Sequence, residues 1–491
     1  MQLPGPWKNC RPMRGLPCRG TQIFLDAEEC MRNRRLSSYL PDRDLWSRIR
    51  TIILPLSLQA LLVHLDSVID AVMLGKVGQE ALASVSLAGQ VQFIYNMLMG
   101  TCGTAFSIFV AQYWGKKDRR TVEKLLGMSF QIHLLLSAAF FLITTIAPQA
   151  VMRIFTDKQV FFDQGGTYLR WIAVSYFFLA LSQSFGITCR CTGHARRLLL
   201  ISCVTVPLDI FFNALFIFGL WGVPRMEVAG AAFATVIVRF IGLALTYLEF
   251  RRENLFKVKL FYFLHFSRSL CAHVLRYTFP ILGNFVCYGI GMTVAAIIMG
   301  HQEPDAVAAS ALARVIINAS CIFFAGIGGG VSVIVGNTLG SGDLARAKDI
   351  GRRLLTFALL AGTASVVLML SAIPFIQYFA KLTPRAVFLT RWMLVLSVPS
   401  MIGKANNGVA FTTFNTGGDS KSSFKIDFFV VICFVVPVGL LAAFVFRAPV
   451  LPVFFLAYMD EAVKAPIALA HYLKYTWVKN LTVREPAKPG R

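Results

Sequence analysis

The sequence predicts an all-α polytopic membrane protein with twelve transmembrane helices, arranged as two parallel six-helix repeats. Three observations support this fold class. The composition of the 491-residue chain is strongly apolar, long apolar segments recur along it, and its second half aligns with its first. Together they predict a chain that is duplicated within a lipid bilayer.

The composition separates this chain from soluble proteins of its size. Hydrophobic residues make up 56% of it and charged residues only 15%, whereas soluble domains average about 45–50% and about 25%. Lipid offers no partner to backbone polar groups, so a spanning segment must be a helix or part of a closed barrel. The apolar runs here exceed about twenty residues and do not alternate with polar residues, which favours helices.

Twelve apolar segments follow a basic amino-terminal tail at residues 1–45. They are predicted at residues 50–74, 86–112, 128–152, 168–188, 198–219, 228–250, 274–299, 312–338, 353–379, 386–412, 424–446 and 449–473. This spacing predicts four further units, which are an N-terminal bundle at 46–250, a linker at 251–273, a C-terminal bundle at 274–475 and a tail at 476–491.

The basic residues are distributed unequally between the two sides of the predicted membrane. The tails and alternate connections on one side hold 35 lysines and arginines, and the opposite connections hold seven. Because lysine and arginine concentrate on the cytoplasmic side, this asymmetry predicts a multi-pass protein of the cell (inner) membrane with both termini and the linker in the cytoplasm. The net charge of +23 is then explained by orientation, and no nucleic-acid partner is expected.

An internal repeat appears when the chain is shifted by 225 residues. Residues 51–125 then align without gaps with residues 276–350, and twelve of the 75 positions are identical. The matched pairs include Pro55 with Pro280, Gly75 with Gly300, Gly103 with Gly328, Gly115 with Gly340 and Asp118 with Asp343. An even number of helices in each half gives both halves the same orientation, and in such folds the substrate path lies between them.

The first predicted span carries two carboxylates, Asp66 and Asp70, near its middle. A charge at that depth costs about 2.5–3.5 kcal/mol on insertion scales, so it is rarely without a function. The two residues are four apart and lie on one helix face. Two close carboxylates in a low dielectric do not both ionise cheaply, so the pair is predicted to share a proton and to act as a proton or cation switch.

The motifs that surround these acids resemble the multidrug and toxic compound extrusion (MATE) family, most closely its DinF-like branch. They are the sequences Asp70-x-x-x-x-Gly75-x-x-Gly78-x-x-Ala81-Leu82-Ala83, Ala111-Gln112-Tyr113-Trp114-Gly115-Lys116-Lys117-Asp118, Asn213-Ala214-Leu215-Phe216-Ile217-Phe218-Gly219 and Val228-Ala229-Gly230-Ala231-Ala232-Phe233-Ala234-Thr235. The resemblance covers residues 50 to 475. It implies a V-shaped antiporter of twelve helices, in which inward flow of protons or sodium drives export of organic, often cationic, compounds.

The resemblance also implies where coupling occurs. DinF-like members usually carry an asparagine and then an aspartate in the fifth span, and this chain inverts the order as Asp209 and Asn213. Relatives of another branch carry acids in the seventh and tenth spans, where this chain has none. Coupling, and the buried acids that perform it, are therefore expected in the N-terminal half only, at Asp70, Asp209 and Asn213. Asp66 is added to this set because of its depth in the first span, although it is not typical of the family.

Substrate contacts are expected in the tenth span, which offers Lys404, Asn406 and Asn407. The predicted function is a cation-coupled antiporter, with protons favoured over sodium as the coupling ion, that acts as a monomer on a small organic substrate. No cofactor or resident metal is expected, since the eleven cysteines form no Cys/His cluster with metal spacing. The alternative is a flippase for lipids or lipid-linked oligosaccharides, although it would need a more basic cleft than Lys404, Arg239 and Arg314 provide. An enzyme is not expected, because no catalytic motif is found.

Overall fold

The computed structural model of the protein describes residues 40–154, 159–252, 268–321, 324, 326–376 and 383–482. Most of the predicted amino-terminal tail, most of the predicted linker and the end of the predicted carboxy-terminal tail lie outside these residues. The described residues form helices and short connections, without a β-strand among them.

Helices α1 to α8 make up the N-terminal half. Helix α1 contains one π-helical turn near its start, and α5 and α6 meet at a 45° bend. The bounds are α1 Arg43–Val77, α2 Gln79–Gly115, α3 Arg119–Ile146, α4 Pro148–Arg153, α5 Gln159–Ile172, α6 Ser175–Cys191, α7 Ala195–Phe218 and α8 Glu227–Arg252.

Helices α9 to α17 make up the C-terminal half. Helix α15 includes two π-helical stretches, and α13 and α14 meet at a 41° bend. The bounds are α9 Arg268–Gly300, α10 Pro304–Ser320, α11 Ile327–Gly340, α12 Leu344–Ser371, α13 Pro384–Leu396, α14 Val398–Thr416, α15 Ser420–Val445, α16 Val450–Tyr458 and α17 Asp460–Tyr472.

The predicted fold class is confirmed. Within the described residues, eight helices are long and apolar enough to cross a membrane, and ten spans result if each bent pair is one span. The two remaining predicted spans, 312–338 and 449–473, each contain two shorter helices. These are α10 with α11 and α16 with α17, so the described residues of each of the twelve predicted segments are mainly helical.

The two halves differ where the C-terminal half interrupts its helices. Shifted by 225 residues, α2 covers the same positions as α10 and α11 together, and yet α10 ends at Ser320 while α11 begins at Ile327. In the same way α8 is continuous, whereas its counterpart breaks at Met459 between α16 and α17. A broken helix frees backbone groups and is tolerated in a membrane only where protein or a polar cavity satisfies them.

The two halves join at one end of the molecule. The largest hydrophobic cluster draws buried residues from both halves, such as Phe109, Cys191, Val335 and Phe414, whereas the other clusters each belong to a single half. The shared end is the basic end of the helices, which is predicted to be cytoplasmic. At the opposite end the hydrophobic cores of the two halves are separate.

Repeat-equivalent residues build this junction. A Cβ atom on Gly115 would collide with the carbonyl oxygen of Asn337, and one on Gly340 would collide with that of Gln112. Helices α2 and α11 therefore approach each other closely only because glycine occupies both positions. The next helix in each half is then capped by equivalent aspartates, since Asp118 accepts a hydrogen bond from the Thr121 amide and Asp343 accepts one from the Arg346 amide.

Candidate functional site

Two packed helices of the N-terminal half bring the predicted coupling residues together. Helix α1 carries Asp66 and Asp70, and helix α7, which packs against it, carries Asp209 and Asn213. In each helix the two polar residues are four apart and therefore lie on one face. The face of α7 that carries Asp209 and Asn213 is directed to α1, since Asn213 hydrogen-bonds to Asp70.

The asparagine links the carboxylates. Asn213 Nδ2 donates hydrogen bonds to Asp70 Oδ1 at 2.8 Å and to Asp209 Oδ2 at 3.1 Å. One oxygen from each of Asp66, Asp70 and Asp209 lies within 4.8 Å of the others. Asp209 and Asn213 are buried, with 5% and 2% of their surface exposed. The structure therefore brings the four predicted coupling residues together, and their roles stay a prediction.

Two oxygen atoms of this cluster have no hydrogen-bond partner among the described residues. They are Asp66 Oδ1 and Asn213 Oδ1, and both are shielded from solvent. Buried polar atoms without partners are costly. The four residues, which we call the N-half cluster, thus offer carboxylate and amide oxygens to a proton or a hard cation such as sodium.

The nearest base does not neutralise these acids by direct contact. Arg239 of α8 interacts electrostatically with all three carboxylates. In the described part of the chain, however, no ion pair within 4 Å joins it to any of them. Three close carboxylates without a contacting base require another source of positive charge.

The C-terminal half contains a second charged cluster. Lys464 Nζ of α17 lies 3.1 Å from Asp427 Oδ1, 2.9 Å from Asp460 Oδ2 and 3.3 Å from Glu461 Oε1. Only 2% of the Lys464 side chain is exposed. With Asn407, which donates to Glu461 Oε2 at 2.8 Å, these residues form what we call the C-half cluster.

The C-half cluster overturns one expectation from the sequence. The expectation of buried acids in the N-terminal half only is wrong, because the C-terminal half carries its acids in other spans than the seventh and tenth. Asp427 lies in the predicted eleventh span, and Asp460, Glu461 and Lys464 lie in the predicted twelfth. The i, i+4 pair of Asp460 and Lys464 inside an apolar segment was the signal that could have revealed the cluster.

The predicted substrate residues lie on α14, beside this cluster. Asn407 Nδ2 also donates to the Glu461 carbonyl at 2.9 Å, and Asn406 Nδ2 donates to the Ala465 carbonyl at 3.4 Å. Both asparagines are buried and tie α14 to α17. Lys404 is partly buried and interacts electrostatically with Glu461 and Asp460. The assignment of Lys404, Asn406 and Asn407 to substrate binding stays a prediction.

A family model known from other proteins matches this chain. The family model MatE matches the chain twice, over residues 55–215 and 280–441. The two matches fall in the two halves. They agree with the repeat that the sequence predicts.

Individual relatives are distant but cover most of the chain. The probable multidrug resistance protein NorM of Thermotoga maritima is 26% identical over 362 residues, which cover 72% of this chain and 76% of that protein. The uncharacterized transporter YisQ of Bacillus subtilis is 19% identical over 353 residues, which cover 72% and 77%. By name, one of these relatives is a transporter and the other a multidrug resistance protein.

Solved structures share the fold. A MOP superfamily transporter from Pyrococcus furiosus superposes with a TM-score of 0.79 at 18% identity, covering 88% of this chain and 96% of that one. The Vibrio cholerae MATE transporter VcmN in its bent form superposes with a TM-score of 0.78 at 17% identity, covering 89% and 98%. At this level of identity the likeness concerns the fold alone.

Proposed function

Because this chain belongs to the MatE family, we propose that it is an antiporter that exports small organic compounds across the cell membrane in exchange for protons. The observation that supports coupling to a cation is the N-half cluster. Asn213 donates to Asp70 and Asp209, and one oxygen of Asp66 lies within 4.8 Å of theirs. In the described part of the chain, no ion pair within 4 Å joins these carboxylates to a base. Protons from outside the cell supply the missing positive charge, and the protein acts as a monomer with both termini in the cytoplasm.

The conformation supports a transport cycle by alternating access. The halves are joined at the basic end by the α2–α11 contact, and their cores are separate at the other end. With the basic end in the cytoplasm, this arrangement is outward-facing. In that state Asp66, Asp70 and Asp209 are reached from outside and take up protons, and their neutralisation lowers the cost of burying them when the outer side closes.

A positively charged organic substrate fits the same cluster. When the molecule faces inward, the carboxylates release their protons to the cytoplasm and again offer negative charge to an organic cation. Protons and substrate then compete for one set of charges, and this competition couples their opposite movements. No observation on the described residues favours the flippase alternative.

The experiment that tests this function uses purified protein in liposomes and ethidium as the cationic probe. Ethidium transport is measured under an imposed pH gradient and, separately, under an imposed sodium gradient. We expect the pH gradient to drive transport, and we expect Asp70→Asn and Asp209→Asn to reduce the driven rate at least about tenfold. Asp163→Asn, which removes an exposed carboxylate of α5 in the same half, is the matched control and should leave the rate unchanged.

Two results would contradict the proposal. Transport driven by sodium but not by protons would assign the N-half cluster to sodium. Transport at the wild-type rate in both Asp70→Asn and Asp209→Asn would remove the cluster from coupling altogether.

A further inference from the structure

A cavity of about 930 Å³ lies where the beginning of α1 meets α12 of the other half. Its polar lining comes from Arg43, Ser47, Arg50 and Ser57. Its wall includes Trp46, which packs edge-on against Phe357 of α12 at 5.8 Å between ring centroids. The α1 part of the lining ends at Leu61, about 7.5 Å along the helix before Asp66, and no residue of either charged cluster lines the cavity. It is therefore separate from both charged clusters.

The residues of α1 that line the cavity form a stripe with a charged end and an apolar end. Arg43, Ser47 and Arg50 are followed on the same helix face by Leu54, Leu58 and Leu61. From Arg50 to Leu61 the helix rises about 16 Å at 1.5 Å per residue. That length is close to one leaflet of hydrocarbon, which is about 15 Å.

The charges around the cavity are matched except for the two arginines that line it. Asp44 pairs with Arg48 at 3.2 Å and with Arg346 of α12 at 2.6 Å, and both of those arginines are absent from the lining. By contrast, Arg43 and Arg50 are exposed and make no ion pair or side-chain hydrogen bond with any residue in the described ranges. Two free guanidinium groups above an aliphatic wall are complementary to an anion that carries a long apolar chain.

We propose that this cavity binds an anionic phospholipid from the leaflet at the basic end of the molecule. The phosphate is held by Arg43 and Arg50, and one acyl chain lies along Leu54, Leu58 and Leu61. Basic pockets between transmembrane helices on the cytoplasmic side are suited to such headgroups. Because the lipid contacts α1 of one half and α12 of the other, its binding favours the conformation in which this end is closed.

The amino-terminal segment of the chain is a poor occupant on grounds of charge. Residues 1–39 contain seven lysines and arginines but only three acids. A segment with this excess of positive charge is repelled by Arg43 and Arg50. An anionic lipid is attracted by them.

The test measures quenching of Trp46 fluorescence by phospholipids with brominated acyl chains. The full chain in neutral detergent is titrated with brominated phosphatidylglycerol or brominated phosphatidylcholine, and Trp46→Phe identifies the Trp46 signal. We expect phosphatidylglycerol to quench at a concentration about tenfold lower than phosphatidylcholine does. Arg43→Gln combined with Arg50→Gln should abolish this preference, whereas Arg48→Gln, which removes a paired charge of the same helix, should preserve it.

Several outcomes would overturn the proposal. Equal quenching by the two lipids would show that the arginines do not select an anionic headgroup. Displacement by glycerol phosphate as effective as by phosphatidylglycerol would assign the arginines to a soluble phosphate. A preference that emerges only after deletion of residues 1–39 would make that segment the occupant. Native mass spectrometry of the same variants counts bound phosphatidylglycerol without any tryptophan signal, and it should show fewer adducts only in the double variant.

Discussion

Each of the two charged clusters has a basic residue at the same position of the repeat, but only one of these residues contacts the carboxylates. Arg239 of α8 and Lys464 of α17 are 225 residues apart, and the surrounding residues follow the same shift. The identical pairs are Val228 with Val453, Ala232 with Ala457, Val238 with Val463, Tyr247 with Tyr472 and Leu248 with Leu473. Lys464 contacts three carboxylates within 3.3 Å, whereas Arg239 acts on three carboxylates only at longer range.

The acids themselves do not follow the repeat. At the positions of Asp460 and Glu461, helix α8 has Thr235 and Val236. The N-terminal half instead takes two acids from α1, where the C-terminal half has Gly291 and Ala295. The repeat therefore places a basic residue at the same position of both halves, whereas the carboxylates occupy positions that do not correspond.

We call the C-half cluster closed, because a base of the protein contacts its carboxylates. We call the N-half cluster open, because no base among the described residues contacts its carboxylates. In the C-half cluster a base of the protein contacts all three carboxylates, although its single positive charge balances only one negative charge. In the N-half cluster no base among the described residues contacts a carboxylate within 4 Å. An exchangeable proton or cation is consequently expected in the N-terminal half, and a structural role is expected for Lys464.

The strongest test of this comparison removes each base in turn. Lys464→Met leaves Asp427, Asp460 and Glu461 buried without a contacting cation, and such a change costs about 3–5 kcal/mol in the free energy of unfolding. Arg239→Met breaks no ion pair within 4 Å in the described part of the chain, so we expect a loss of about 1 kcal/mol or less. Denaturant titration of both variants in detergent measures the difference in their free energy of unfolding.

A double variant supplies the control for this prediction. Adding Glu461→Gln to Lys464→Met removes one of the stranded charges and should recover part of the lost stability, since the two residues are in contact. Equal losses for Lys464→Met and Arg239→Met would show that the distinction between the closed and the open cluster has no energetic basis.

A smaller loss of stability is expected at the junction of the two halves, where the repeat places equivalent glycines. Gly115→Ala and Gly340→Ala each place a methyl group against a backbone carbonyl of the other half. Helices α2 and α11 must then move apart, which costs about 1–3 kcal/mol. Because the two glycines are repeat-related, thermal unfolding should show similar losses for both variants.

Gly100→Ala is the matched control on α2, because a Cβ atom there meets nothing within 4 Å. Its stability should stay within about 0.5 kcal/mol of the wild type. A large loss for only one of Gly115→Ala and Gly340→Ala would indicate that the junction is not symmetric in energy.

The parts predictable from sequence are those that depend on short spacing or on the repeat. The length of the apolar segments predicts the spans. The i, i+4 spacing of Asp66 with Asp70 and of Asp209 with Asn213 places each pair on one helix face. The contact between α1 and α7 that joins the pairs depends on tertiary packing. No local spacing predicts that contact.

The parts that escaped prediction depend on contacts between distant segments. Asp427 and Lys464 lie on different helices, so no local pattern joins them. The break at Met459 was hidden because the residues on both sides of it are apolar enough to look like one span. The substrate assignment of Asn407 was inferred from its polarity, but its amide is directed to Glu461 by the packing of α14 on α17.

The smallest expected effect concerns a polar contact at the basic end that only the C-terminal half possesses. Asp419, in the connection between α14 and α15, accepts hydrogen bonds from His471 Nε2 at 2.7 Å, Ser422 Oγ at 2.7 Å and Thr476 Oγ1 at 3.0 Å. The equivalent position in the N-terminal half is His194, which has no carboxylate. Burial raises the pKa of Asp419, but these hydrogen bonds outweigh burial and hold the pKa below its ordinary value.

A lowered carboxylate pKa stabilises the folded protein at neutral pH. This stabilisation is complete above the pKa of an unfolded aspartate, about 4, and is lost as the pH falls through the lower pKa of the folded state. Asp419→Asn should therefore reduce the slope of melting temperature against pH below about pH 4, by a small amount because the site is partly exposed. His194→Asn should leave that slope unchanged, and an equal change in both variants would mean that the acid sensitivity of this end does not come from the Asp419 contact.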